Sequence, residues 1–364
     1  MCIRDSNRIY DCLIDSSSVE GSSDDDKNYT LTEKLRNWAV TNQVPHCTLS
    51  DLLNVLRQFH PDLPKDPRTL LQTKLTYNVS EICGGHYYHF GLVSGLQEKI
   101  KYSVEFLPDN FCLELQLNID GLPLFKSTNH QFWPILGLLK NVNDNKDPFI
   151  IALFSGESKP NDLIGYLRTI IDEYNEVGQN DFEFGGKNLH LKIHSVVCDT
   201  PARAFVKKVK SYSGYHGCDK CVQTGQWNGK MTFPEVNAAL RTDQSFSQML
   251  DEDHHLGHSP FCDIQLGMVT QFPIDYMHLV CLGVMKRILI MWIKGPLQCR
   301  LGSRDIGEIS NQMVALKDFI PCEFARKPRS LKDIDRWKAT EFTHAVPPLH
   351  GSCDGCDSLS NITS

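Results

Sequence analysis

The sequence lacks an apolar run long enough to span a bilayer, for which about 20 consecutive apolar residues are needed. Its most apolar stretch, 279–293, is interrupted by Lys286 and Arg287 and therefore predicts a buried helix. The first residues also lack the basic segment and apolar segment of a signal peptide. These absences predict a protein that neither spans a membrane nor enters the secretory route.

The sequence also lacks an excess of positive charge. Its 37 Lys and Arg residues stand against 44 Asp and Glu residues, for a formal net charge of −7 at pH 7. Proteins that coat nucleic acid through bulk charge are basic, so this class is disfavoured. An enzyme that grips DNA locally remains compatible with the charge, because the carboxylates of a metal site themselves make the balance negative.

Composition and periodicity divide the chain into six segments. Residues 1–26 are polar and acidic and are expected to be disordered. The amphipathic pattern of 31–60, with Thr48 or Ser50 as a candidate N-cap, predicts helices that form either a binding module or a plain helical lead-in. The other segments are a small helical N-terminal module (27–102), the first part of an α/β core (103–212), a zinc-knuckle and mostly helical insertion (213–330), a returning helix (331–346) and an irregular tail (347–364).

Strands and helices alternate through the core segment. The predicted strands are 112–119, 131–139, 148–154 and 190–198, with a helix at 162–174 before the last strand and another helix after it. Thr200 is the predicted N-cap of that final helix, with Pro201 in its first turn. The order is similar to that of an RNase H-like domain, in which the first and fourth strands lie side by side and parallel. We therefore expect an α/β fold in which Asp120 and Asp199 lie close together at two neighbouring strand ends.

A pair of carboxylates at adjacent strand ends suits a hard divalent cation. Mg²⁺ and Mn²⁺ prefer oxygen ligands, and two such ions can promote in-line displacement at phosphorus. Asp120 and Asp199 are the candidate ligands. The alternative for Asp120 is turn formation, since it precedes Gly121 and Asp-Gly is a common turn pair.

The fourteen cysteines indicate metal sites or core packing, because a chain without a signal peptide is expected to keep them reduced. Cys218 and Cys221 form a CxxC pair after two glycines, which is half of a tetrahedral zinc site. Redox activity and two unrelated buried thiols are the alternatives. The candidates for the other ligands are His254, His255, His258, Cys262 and His278. A second CxxC pair, Cys353 and Cys356, lies in the polar tail and is not favoured.

Asp275 and His278 are spaced three residues apart, so on a helix they share a face. They stand immediately before the apolar stretch 279–293. His278 is therefore predicted to bind zinc or to make a structural hydrogen bond. In the alternative, Asp275 caps the helix and His278 only packs.

Seven motifs together resemble the transposases of the CACTA (En/Spm-like) group and the animal proteins related to them. In chain order they cover roughly residues 103–342. The motifs are IDGLPLF (119–125), FWPILGLL (132–139), LFSGESKP (153–160), VVCDTPAR (196–203), GYHGCDKC (214–221), FPIDYMHLVCLGVMKR (272–287) and DIDRWKATEF (333–342).

The resemblance implies a DDE catalytic triad on an RNase H-like fold, with Mg²⁺ or Mn²⁺ as cofactor and structural Zn²⁺. Asp120 and Asp199 match the two aspartates, and Glu341 is the candidate for the glutamate that returns after a long insertion. The CxxC of the family maps to Cys218 and Cys221, and its DxxH to Asp275 and His278. Such an enzyme cleaves and joins DNA at transposon ends, with water as the first attacking group and a 3′-hydroxyl as the second. A nuclear location and a homo-oligomer that pairs the ends are expected.

Two alternatives to an active transposase follow from the same residues. Pro347 and Pro348 end any helix soon after Glu341, which predicts a truncated chain and favours a catalytically inactive, zinc-stabilised relic of a transposase. An RNase H-fold nuclease that acts on RNA would use the same carboxylates. Basic side chains after Asp199 could contact phosphates or form a solvated helix face; these are Lys207, Lys208 and Lys210.

Overall fold

A computed structural model describes residues 30–73, 78–125, 127–142, 147–180, 182–320 and 326–343. The described part has a mixed α/β fold built around one large mixed sheet, which confirms the α/β class predicted from the sequence. The predicted disordered segment 1–26 and the predicted tail 347–364, with Cys353 and Cys356, lie outside the described residues.

Three helices form the N-terminal part: α1 (Leu31–Thr41), α2 (His46–Leu56) and α3 (Pro67–Leu70). Thr30 caps α1 through a reciprocal pair of hydrogen bonds with Glu33. The helices enclose a small apolar cluster of Ala39, Leu49, Leu53, Leu63, Leu70 and Leu71. The prediction of Thr48 or Ser50 as an N-cap was wrong, because α2 already begins directly after Pro45, whose fixed φ suits a helix start.

The main sheet contains eight strands: β1 (Ser80–Ile82), β2 (Gly85–His89), β3 (Phe111–Ile119), β4 (Leu122–Pro123), β5 (Gln131–Leu139), β6 (Phe149–Gly156), β7 (Phe182–Phe184) and β8 (Lys187–Val197). Their order is β1-β2-β6-β5-β3-β8-β7, with β4 paired to β5. β3 and β8 are parallel neighbours, as predicted from the element order, and the other paired strands are antiparallel.

Helices α4 (Leu92–Ile100), α5 (Leu163–Asn180) and α6 (Thr200–Lys207) accompany the sheet. α5 buries Leu163, Tyr166, Leu167 and Ile170 in the large apolar core, which also contains the inward side chains of β3, β6 and β8. The segment 27–102 was predicted to contain helices alone, but it also contains the strands β1 and β2 besides helix α4. β1 and β2 have only three and five residues, so their alternation was too short to identify.

Residues 211–276 are largely irregular, with the hairpin β9 (Gln226–Trp227) and β10 (Met231–Thr232) and the short helix α7 (Asp243–Ser247). The expected helical character begins only at the π-helix Met277–Met285. α8 (Lys286–Lys294), α9 (Ser303–Ala315) and α10 (Ala339–Thr343) follow it. A tight turn stands at Gly217, where a Cβ would lie 2.0 Å from the Ser211 carbonyl oxygen, so this turn requires glycine.

The helix that spans Met277–Met285 and α8 was predicted to be buried, and this prediction was wrong. Cys281 and Leu289 are its buried apolar residues, whereas Leu279, Val284 and Trp292 are exposed. Periodicity could not identify this, because nearly every position of Met277–Met285 is apolar. Among the described residues, no helix combines the length and the apolar character required to cross a bilayer.

Candidate active site

Asp120 and Asp199 lie level with each other at the ends of two parallel strands. The register pairs Asn118 of β3 with Val197 of β8, and each aspartate follows two residues later. The Asn118 side-chain amide also donates to the Val197 carbonyl oxygen at 3.1 Å, which ties the two strand ends together. Because neighbouring strands lie about 4.8 Å apart, the two aspartates stand at adjacent strand ends on the same edge of the sheet.

Backbone amides orient both carboxylates. The Gly121 N–H donates to Asp120 Oδ1 at 2.8 Å, and the Ala202 N–H donates to Asp199 Oδ1 at 2.7 Å. The second bond makes Asp199 the N-cap of α6, so the prediction of Thr200 as the cap was wrong. Asp, whose side chain can accept from the N3 amide, takes the cap one residue earlier. Within the described part of the chain, Oδ2 of each aspartate accepts no hydrogen bond.

The charge of this strand edge is negative, and neither aspartate forms an ion pair with another described residue. Burial, and then the charge of Asp199, raise the pKa of Asp120. The Gly121 amide and His278 lower the same pKa, and Asp275 raises it. Two half-buried carboxylates that repel each other favour a divalent cation with oxygen ligands.

Asp275 and His278 reach this edge along the outer side of β8. The Val196 N–H donates to the Gln271 carbonyl oxygen at 2.8 Å, and the Gln271 side-chain amide donates to the Ile193 carbonyl oxygen at 2.6 Å. Four residues further on, Asp275 accepts from the Met277 N–H at 2.9 Å and its other oxygen is bonded to His278 Nδ1. The structure thus brings the DxxH pair to Asp120.

Cys218 and Cys221 face each other with their sulfur atoms 3.1 Å apart. Burial and the adjacent Cys218 thiol raise the pKa of Cys221. The Gln223 side-chain amide donates to Cys221 Sγ at 3.0 Å. The predicted CxxC pair is therefore assembled, but the contacts of His278 are with Asp275 and not with these thiols.

The two residues between these cysteines anchor the CxxC turn in the core. Asp219 binds the Lys207 ammonium, and Arg203 Nε lies 3.2 Å from Asp219 Oδ2. Lys220 donates to the carbonyl oxygens of Val269 and Phe272 at 2.7 and 2.9 Å. Although burial alone would raise it, Lys207 and then Arg203 hold the pKa of Asp219 below its ordinary value.

Lys207 has 0% of its surface exposed. Both roles considered for it, a phosphate contact and a place on a solvated helix face, were therefore wrong. Its Nζ lies 4.9 and 5.6 Å from the ring centroids of Phe246 and Phe272, which adds cation–π attraction to the Asp219 ion pair. The residue is covered by the irregular segment after α6. Helical periodicity could not reveal this, because the covering residues Asp219, Phe246 and Phe272 lie outside α6.

The remaining zinc-ligand candidates make other contacts, and among the described residues they do not form a metal-binding group. His254 Nδ1 lies 2.7 Å from the His216 carbonyl oxygen, and His258 Nε2 lies 2.7 Å from Asp263. Burial lowers the pKa of His254 to about 4, so its ring is neutral at pH 7. Cys262 ends a 3₁₀ turn, Pro260–Cys262.

Glu341 is held by a cation. Its side chain is 1% exposed, and both carboxylate oxygens bind the Arg329 guanidinium, the longer contact being 3.0 Å. The Lys338 N–H donates to Glu341 Oε2 at 2.8 Å. Although burial alone would raise it, Arg329 and the Lys338 amide lower the pKa of Glu341. α10, which carries Glu341, packs against the helix Met277–Met285 that carries His278.

The structure brings together the pairs Asp120–Asp199, Asp275–His278 and Cys218–Cys221. Across the described ranges, no three His, Cys, Asp or Glu side chains are grouped closely enough to hold a metal ion. Neither Asp120, Asp199 and Glu341 nor Cys218, Cys221 and His278 are therefore gathered as three ligands.

Two carboxylates, Asp219 and Glu341, have charged partners that were not predicted from the sequence. Arg203 and Asp219 stand inside motifs that were identified, but without roles, and Arg329 stands outside every motif. The signal that could have found Asp219 is its position between two turn-forming cysteines.

No protein-family model matches the sequence, and no curated protein is significantly similar to it.

Proposed function

We propose that the chain is a DDE-type transposase whose RNase H-like core cleaves DNA strands and joins them at transposon ends. The observation that carries the proposal is the level placement of Asp120 and Asp199 at the ends of parallel strands β3 and β8. The order β6-β5-β3-β8, with α5 before β8 and α6 after it, supports the RNase H-like assignment. The seven CACTA-like motifs support the substrate.

Asp120 and Asp199 would hold Mg²⁺ or Mn²⁺. The donors fit such ions, because each carboxylate is oriented by one backbone amide through Oδ1 and Asp120 also experiences the negative charge of Asp275. A bound divalent ion would activate a water or 3′-hydroxyl and stabilise the leaving oxygen. The residues themselves orient the centre, and the Asp275–His278 pair supplies a hydrogen-bonded imidazole beside it.

Glu341 is proposed as the third carboxylate, and it must leave Arg329 to act. A DNA phosphate is a strong competitor for a guanidinium, because Arg binds phosphate oxygens through paired hydrogen bonds. Arg329 has 39% of its side chain exposed and is therefore accessible to such a phosphate. Substrate binding would then release Glu341 at the helix that carries His278.

Cys218 and Cys221 would supply two thiolates to a structural Zn²⁺. A tetrahedral site requires two further ligands, and among the described residues His278 is not grouped with the two thiols. The role of this zinc would be to hold the turn that contains Asp219. We further propose that two chains assemble on paired DNA ends and that the protein acts in the nucleus.

The second candidate is a catalytically inactive, transposase-derived scaffold. The observation that favours it is the ion pair between Arg329 and Glu341, which withholds the third carboxylate from the strand edge. In this case the fold, the CxxC turn and the buried charge network would persist without strand cleavage.

A cleavage assay with end-labelled DNA duplex and RNA duplex separates these functions. The proposed enzyme nicks DNA in Mg²⁺ or Mn²⁺ and loses this activity in Asp120→Asn. Cleavage confined to RNA identifies an RNase H-fold ribonuclease. A folded protein that binds but never cleaves either duplex contradicts the enzyme and supports the scaffold.

A further inference from the structure

A cleft lies between the loop after β4 and the turn after β6. Its volume is about 490 Å³, and it is lined by Phe125, Thr128, Asn129, His130 and Glu157. This volume is within the range of small-molecule sites. The cleft is therefore large enough for one planar heterocycle such as a nucleobase.

The cleft opens on the same sheet edge as Asp120 and Asp199. β6 and β3 are both antiparallel to β5, so they run in the same direction and end at the same edge. Ile135 of β5 pairs with Ile119 and also with Ala152, so β6 continues four residues past the level of Ile119 to Gly156. At about 3.3 Å per residue this is about 13 Å, or about four stacked nucleotides at 3.4 Å each.

The lining of the cleft suits a base better than a phosphate. Phe125 is 63% exposed, so it offers a free ring face for stacking. The Glu157 carboxylate repels phosphate but accepts hydrogen bonds from an exocyclic amino group, such as N4 of cytosine. Thr128 and Asn129 add neutral polar groups, and His130 is fixed by a 2.9 Å contact with Ser155 Oγ.

Lys159 follows Glu157 by two residues and is directed towards α6. Its exposed ammonium lies 4.7 Å from the ring centroid of Phe205, on the helix that Asp199 caps. The Phe205 ring packs edge-on against Trp133, 5.5 Å between centroids. Trp133 in turn touches the position of Gly121, where a Cβ would meet its ring at 2.9 Å. Lys159 is thus connected, through Phe205 and Trp133, to the residue that follows Asp120.

We propose that this cleft binds one unpaired base near the strand that is cut. Phe125 stacks on the base, Glu157 accepts from its exocyclic amino group and Lys159 contacts a backbone phosphate on the way to Asp120. The inference rests on the proposed DNA substrate and names the part of it that the cleft recognises. Cytosine is preferred over thymine, because thymine lacks an exocyclic amino group.

Fluorescence anisotropy in metal-free buffer tests the cleft without chemistry. The probes are a labelled blunt DNA duplex and the same duplex with a four-nucleotide 3′ overhang of cytosines or of thymines. The full chain is expected to bind the cytosine overhang about tenfold more tightly than the blunt duplex. Phe125→Ala should lose this preference, Glu157→Ala should bind both overhangs equally, and Lys159→Gln should weaken binding of every probe.

The matched control is Phe59→Ala, which removes another exposed phenylalanine, 74% exposed, from the N-terminal part. It should keep the wild-type preference. Equal binding of blunt and overhang probes by the wild type, or an unchanged preference in Phe125→Ala, overturns the cleft proposal. Cleavage that persists in such a protein leaves the proposed function standing. Overhang preference without any metal-dependent cleavage supports the cleft and contradicts the enzyme.

Discussion

The carboxylates of this protein occur in two electrostatic settings. Asp120 and Asp199 stand at a strand edge, where a backbone amide orients each one and no ion pair with another described residue neutralises it. Glu341 is buried and Asp219 is mostly buried, and each is bound by an arginine or lysine. The pKa of Asp120 is raised, whereas the pKa values of Asp219 and Glu341 are lowered.

The difference separates carboxylates available to an external cation from carboxylates that already have one. A buried acid paired with Arg or Lys is costly to disturb, because removal of one partner leaves an uncompensated charge. Two like charges at an edge cost less when a divalent ion binds between them. We therefore expect substitutions at Asp120 and Asp199 to affect function, and substitutions at Asp219 to affect stability.

The largest expected effect is on cleavage. Asp120→Asn and Asp199→Asn should each lower metal-dependent DNA cleavage by about three orders of magnitude, because each removes a carboxylate ligand. Asn retains the capping ability of position 199, so α6 should still form. Initial rates on a labelled duplex measure the effect.

The control for these two variants is Asp172→Asn, which changes an exposed carboxylate of α5. It should cleave like the wild type. Equal rates for Asp120→Asn and Asp172→Asn would show that the strand edge is not the reactive centre.

The next effect is on stability. Asp219→Ala should lower the free energy of unfolding by about 3–5 kcal/mol, because it leaves the Lys207 ammonium buried without its carboxylate. Urea denaturation measures the change. The double variant Asp219→Ala with Lys207→Met should recover part of the loss.

Asp253→Ala is the surface control, since the Asp253 side chain is 70% exposed and lies 3.6 Å from Lys210. Its cost should remain below about 1 kcal/mol. If Asp219→Ala and Asp253→Ala lowered the free energy of unfolding by similar amounts, the distinction between the two electrostatic settings would not hold.

A smaller stability effect is expected at Glu341. Glu341→Gln and Arg329→Ala should each cost about 1–3 kcal/mol, because each breaks hydrogen bonds between charged groups. If Glu341 is the third catalytic carboxylate, Glu341→Gln also loses cleavage, whereas Arg329→Ala retains it. Cleavage that survives in both variants excludes Glu341 from the chemistry.

The smallest effect concerns pH. Because the pKa of Glu341 in the folded protein is below its ordinary value of 4.5, its ion pair stabilises the fold above that value. The contribution is lost as pH falls through the lowered pKa. The stability difference between wild type and Glu341→Gln, measured by urea denaturation at several pH values, should therefore shrink below about pH 4.5. A stability difference between wild type and Glu341→Gln that grows as the pH falls would contradict this predicted direction.

The central sheet could be predicted because its strands are long and apolar. The segment 112–119 alternates in part, and the element order predicted its parallel pairing with 190–198, which in turn predicts the proximity of Asp120 and Asp199. The cap at Asp199 was missed by one residue, because Asp and Thr both accept from the first helical amides.

The buried network could not be predicted, since it depends on irregular chain. In the sequence Lys207 stands beside Lys208 and close to Lys210, which is typical of a solvated helix face. Asp219 and Phe272 reach it through turns that carry no pattern. Glu341 likewise lies in a recognisable motif, while its partner Arg329 does not. Local sequence indicates which residues carry charge, and tertiary packing decides which charges are neutralised.

The most direct measurement is Mn²⁺ titration of the full chain, followed by the loss of the free-ion electron paramagnetic resonance signal. The wild type should bind Mn²⁺ in the micromolar to millimolar range, which is typical of carboxylate sites that keep several waters. The double variant Asp120→Asn with Asp199→Asn should lose this binding and remain folded. Identical titrations of the two proteins would contradict a metal centre at the ends of β3 and β8.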